Sequence, residues 1–79
     1  MEYLPVTVEC YSGYKADEYP RRFTWLEKTY EIQNIQDQWY QTDRDPSVPA
    51  AEYFKVETSD SYVFILRHVT RSDTWQLVI

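Results

Sequence analysis

Two residues in this 79-residue chain could form a nucleophile–base pair, because the chain holds one cysteine, Cys10, and one histidine, His68. A thiol beside an imidazole, with an acid to orient the ring, is the minimum for such chemistry. Alternating hydrophobicity puts both residues on inward positions of separate strands, with Asp73 or Glu52 available as the orienting acid. An inward cysteine, however, is ordinarily an inert small hydrophobe. A histidine at a strand end facing Trp75 ordinarily packs and hydrogen-bonds. The expectation is therefore a non-enzymatic protein, with a Cys10/His68 enzyme as the remote alternative and no residue assigned a catalytic role.

Metal and phosphate chemistry are equally poorly supplied. One Cys and one His cannot build a structural zinc site. The run Asp43-Arg44-Asp45 lacks the following glycine and glutamate of a calcium loop. Asp17 and Glu18 sit in a loop, where solvated charge is the ordinary reading. Phosphate-cradling loops need several glycines, and Gly13 is the only one here. No metal and no cofactor is expected.

Binding residues are more plentiful. The chain carries eight tyrosines, and aromatic residues make up 18% of it. Tyr3, Tyr11, Tyr14, Tyr19 and Tyr53 fall outside the core-facing phase. Tyrosine is enriched in interface hot spots, although it also caps the ends of small cores. Arg21 and Arg22 adjoin Tyr19, and Arg67 is expected to point outward opposite Tyr53. Tyr11, Tyr14, Tyr19, Arg21, Arg22, Tyr53 and Arg67 therefore form a candidate recognition surface. A second candidate is the apolar set Val63, Ile65 and Val78 on the outer face of the last strands. Either the 41–51 connection covers that set or a partner does, and covering by the chain itself is the favoured reading.

Charge narrows the partner. Eight Lys and Arg against 13 Asp and Glu give a net charge of −5, which opposes binding to a phosphate backbone. A protein partner is expected, with a weak homodimer a further option. A weak single-stranded nucleic-acid binder built on the arginines and tyrosines is the alternative. The N-terminus has no basic and apolar leader pattern, and no run approaches the ~18 apolar residues of a membrane span. With one free thiol, these features point to the cytoplasm.

The elements that must position these residues are strands. Leu4, Val6, Val8 and Cys10 share one phase, and Pro5 suits an edge. A two-residue turn at Glu27-Lys28 would pair Trp25 with Tyr30 and Phe23 with Ile32. The spacing then slips between Ile32 and Ile35, which predicts a β-bulge near Gln33-Asn34. A short helix over Ile32 to Tyr40 is the alternative. Residues 41–51 read as a connection, with one helical turn at Ser47–Ala51. Turns around Asp60 and at Arg71-Ser72 pair Val56 with Phe64, Phe54 with Leu66, His68 with Trp75 and Leu66 with Leu77. Both hairpins put the same residues of the middle strand inward. The stretch Tyr11 to Phe23 reads as a structured crossover that gathers charge and tyrosines. The whole is a single all-β domain over residues 1–79. It is a small, partly open antiparallel β-barrel of five or six strands with a C-terminal three-stranded meander.

The segments "GYKADEYPRRF", "YFKV", "YVFILRH" and "DTWQL" resemble an uncharacterised family of short bacterial cytoplasmic proteins, or domains of unknown function. The resemblance spans nearly the whole chain and rests most on Gly13 to Pro20, Phe23, Leu66, Arg67, His68, Asp73, Trp75 and Leu77. It implies the fold and a cytoplasmic location, and it supplies no mechanism. The family often has glycine in its hairpin turns, where this chain has Glu27-Lys28 and Ser59–Ser61. The segment after Trp39-Tyr40 also looks longer here. A fainter similarity runs to small domains appended to Y-family DNA polymerase-like proteins and implies a link to repair.

Overall fold

The computed structural model describes residues 2–10 and 19–79, and all its regular elements are strands. β1 (Tyr3–Pro5) and β2 (Thr7–Cys10) are successive pieces of one segment. β3 (Pro20–Trp25), β4 (Lys28–Gln41), β5 (Ala51–Thr58), β6 (Val63–Val69) and β7 (Thr74–Val78) follow. The sheet order is β1-β7-β6-β5-β4-β3-β2, antiparallel throughout. The two outermost strands are thus neighbours in sequence. The N-terminal segment starts on β7, breaks at Val6 and continues on β3, which curls the sheet into a half-barrel. Pro5 lacks an N–H to continue a ladder, so the change of partner falls where pairing is already interrupted.

Alternation chose the core. Phe23, Phe54, Val56, Leu66, Trp75 and Leu77 are buried inside the curl, with Leu4, Val6, Val8 and Cys10 packed against them. Phe23 stacks on Tyr30 at 5.0 Å and meets Phe64 edge-on at 5.3 Å. Each fully buried large side chain stabilises the fold by about 1.5–3 kcal/mol, so aromatic density replaces the missing disulfide. A second cluster lies on the outer face: Ala51, Tyr53 and Val69, packed with Trp39, Ile65 and Val78. The Trp39 and Tyr53 rings stack at 5.3 Å and 6°.

The meander has the expected register, with Phe54 opposite Leu66, Val56 opposite Phe64, Leu66 opposite Leu77 and Ile65 opposite Val78. Residues 32–40 are strand and not helix. β4 shifts register between Ile32 and Asn34, as the spacing predicts, and again between Ile35 and Asp37.

Two expectations are corrected. The first hairpin turns at Leu26-Glu27, so Phe23 faces Tyr30 and Trp25 faces Lys28. Both turn residues have positive φ, 51° and 65°, as a two-residue turn matching strand twist requires. The shift is by two positions, so the same side chains stay inward. Residues Ser47–Ala51 form no helical turn. Asp45 Oδ1 instead accepts hydrogen bonds from the Ser47 amide at 2.9 Å and hydroxyl at 2.8 Å, while the Val48 amide reaches Asp45 O. A short acceptor side chain there competes with helical pairing.

Candidate functional site

The break at Val6 leaves backbone exposed. The Val6 amide still reaches Trp75 O at 3.3 Å, but beyond it β2 turns to β3. Among the described residues, Thr7 to Cys10 have a strand on one side only. The start of β7 has lost its neighbour as well, since the β1 ladder stops at Gln76. Between the two edges lies a cleft of about 590 Å³, within the ~300–1,000 Å³ range of ligand sites. Val6, Val8 and Cys10 line one side of it, and Asp73, Thr74 and Trp75 line the other.

The cleft wall is braced from behind. The His68 ring stacks on Trp75 at 4.2 Å and 12°, and its Nε2 is 2.8 Å from Asp73 Oδ1. Asp73 can reach because its φ of 52° turns the chain sharply between β6 and β7. Asp73 is therefore the acid that holds His68, and Glu52 lies opposite His68 in the β5–β6 ladder. Cys10 is half-buried and in no disulfide, and it shares the cleft with Asp73 and Trp75. Such a wall offers a mixed polar and apolar lining, one thiol and two strand edges.

The expected recognition surface is not one surface. Tyr11 and Tyr14, with Gly13 and most of the Tyr11–Phe23 crossover, lie outside the described residues. Tyr19 is exposed and shares a hollow with Pro20 and Ile32–Ile35. Arg21 is exposed. Arg22 Nε lies 3.2 Å from Glu9 and 3.1 Å from Glu31, so its charge is met by acids on both neighbouring strands.

Tyr53 and Arg67 are opposite each other as expected, but both are only 7% exposed. The outward reading of Arg67 is thereby corrected: Val48 and Pro49 of the connection, with Tyr3, close over that part of the outer face. Arg67 Nε donates to Tyr53 Oη at 3.1 Å and Nη1 donates to Gln76 Oε1 at 2.5 Å. Its guanidinium also lies 4.5 Å from the Tyr3 ring centroid. The Tyr3 hydroxyl is raised above the ordinary phenol range, first by its hydrogen bond with Tyr53. Ile65 and Val78 join the outer cluster, while Val63 stays about half exposed. The apolar set is thus partly covered by the chain itself.

Sequence reasoning missed the cleft because Leu4, Val6, Val8 and Cys10 keep one phase straight through the break. Pro5 was the only signal of it. Among the described residues, no three or more His, Cys, Asp or Glu side chains group as metal ligands. No helix there is long and apolar enough to cross a membrane.

A family model described as a domain of unknown function, DUF6504, matches residues 4–79. No curated protein and no solved structure matches the chain.

Proposed function

The chain belongs to the DUF6504 family, and we propose that it is a non-enzymatic, cytoplasmic binding module that takes an extended polypeptide segment into the cleft between β2 and β7. One observation carries this reading: two strand edges that have no neighbouring strand among the described residues border a cleft of mixed polar and apolar lining. An extended segment entering there satisfies its backbone on the edges of β2 or β7 and sets alternate side chains against Val6, Val8, Cys10 and Trp75. Main-chain bonds supply affinity and the side-chain pockets supply selectivity. The net charge of −5, with Asp73 at the lip, favours a basic segment. The fainter resemblance to domains appended to Y-family polymerase-like proteins makes repair proteins the first partners to test.

A stacking platform for single strands has less support. Arg22 is ion-paired twice, and Arg67 and Tyr53 are buried.

The test is selection of a displayed random-peptide library against the protein, followed by amide shift mapping of the enriched peptides. Basic, extended peptides that shift Thr7–Cys10 and Asp73–Trp75 are expected. Enriched peptides that map elsewhere, or that bind as helices, would overturn the reading. A second copy occupying the cleft would show as concentration-dependent shifts at the same amides without peptide.

A further inference from the structure

The pocket around Arg67 lies apart from the cleft, on the outer face of β5, β6 and β7, and peptide capture between β2 and β7 does not use it. A guanidinium has five N–H donors and a permanent charge. Here the residue is only 7% exposed, and among the described residues the acceptors met by Nε and Nη1 are both neutral. Among the described residues no carboxylate lies within ion-pairing distance of it, whereas Arg22 has two. A buried cation with no carboxylate in direct contact is costly, and structures normally pair it. The remaining N–H groups at Nη2 belong to a side chain that lines a pocket of about 80 Å³.

We propose that this pocket binds a single carboxylate group, held by the Arg67 guanidinium between the Tyr3 and Tyr53 rings. Geometry and charge both select that ligand. The volume equals roughly two to three times the ~30 Å³ that a water occupies in the liquid, which suits a carboxylate with one or two carbons and not a nucleotide. Guanidinium donors match carboxylate and phosphate alike. Asp43 sits in the same wall, and its negative charge weakens the hold on any anion; the small volume then favours a planar carboxylate over a bulkier tetrahedral phosphate. Val48 and Pro49 add apolar surface to the pocket wall beside the guanidinium. The carboxylate belongs to a small organic acid or to the C-terminus or acidic side chain of a peptide; the probes below separate these.

The test uses the full chain and follows the Arg67 Nε–H and Tyr53 resonances during titration at fixed ionic strength. Acetate is expected to shift them saturably, with millimolar affinity, while chloride does not. A short peptide with a free C-terminus that binds better than its amide assigns the site to chain ends. Equal binding of acetate and a peptide bearing an internal Glu assigns it to carboxylates in general. Asp43→Asn is expected to tighten acetate binding severalfold. Arg67→Met should abolish it, and because that variant can disturb folding, Val48→Trp provides a second test by filling the pocket while leaving Arg67 in place. A Val48→Trp protein that folds and still binds acetate as the wild type does would overturn the proposal. So would a non-saturating shift, or one that chloride reproduces.

Discussion

Cys10, His68 and Asp73 carry the only side-chain chemistry that a catalytic reading has, and their geometry gives each a simpler task. Asp73 holds the His68 ring flat on Trp75, which stiffens one cleft wall. Cys10 lies on the other wall, half-buried among apolar neighbours. Partial burial among such neighbours limits the approach of a reagent to the thiol. Alkylation of the folded protein by iodoacetamide is therefore expected at well below the rate of the unfolded chain. Once attached, the adduct should block peptides selected for the cleft. Fast labelling of the native protein would revive the nucleophile. Asp45 offers a different handle. The Ser47 amide, and then its hydroxyl, hold the Asp45 carboxyl below its ordinary 3.8. A depressed folded value means the stabilisation is present above pH 3.8 and is lost as pH falls through the lower folded value. The Ser47 amide should then lose its downfield shift only in that acid window, and the connection over Arg67 should loosen with it. An Asp45→Ala protein whose Ser47 amide shows the same acid transition would show that another group controls it.

The hairpin between β3 and β4 shows what patterning reveals and what it leaves hidden. Alternation identified Phe23, Trp25, Tyr30 and Ile32 as one face, and they are, because a two-position slip preserves parity. It could not choose between turns, since neither Leu26-Glu27 nor Glu27-Lys28 has the Asn-Gly chemistry that marks a turn. Leu26 and Glu27 adopt left-handed φ without glycine, and Leu26 is 77% exposed. Replacing the pair with asparagine followed by glycine (the double variant L26N/E27G) should therefore raise stability by about 1 kcal/mol, read as a higher Tm. Unchanged or lowered stability would mean that Leu26 makes contacts this turn does not show. The meander was legible for the opposite reason: two hairpins constrained one strand and agreed. The second bulge of β4, between Ile35 and Asp37, was invisible because Ile35 and Trp39 share parity in the sequence, yet the bulge sends Ile35 to the core and Trp39 to the outer cluster. Arg67 was misjudged because strand parity gives a face and not its cover. That cover is residues 42–50, which have no periodicity to read.

The architecture joins these parts through one asymmetry. β5, β6 and the end of β7 have strands on both sides, while β2 is a four-residue strand with a neighbour on one side among the described residues. Among the described residues it is held by the ladder to β3, the Glu9–Arg22 ion pair and the partial burial of Val8 and Cys10. A strand held this way should detach without unfolding the rest, since local opening follows from few buried contacts and exposed backbone bonds. Native-state hydrogen exchange makes this measurable. Amides of Phe54, Val56 and Leu66 are expected to exchange only through global unfolding, so their rates track denaturant with the full slope. Amides of Thr7 to Cys10 should exchange faster, through a nearly denaturant-independent opening. A peptide added to the cleft gives β2 a second neighbour or seals its edge, and should slow those amides preferentially. Uniform protection across β2 and β5 would mean that the half-barrel opens as one unit, leaving no separately mobile edge for a partner to capture. Selective protection of β2 by peptide would instead tie the break at Val6 directly to binding: the same discontinuity that curls the sheet also keeps one of its strands available.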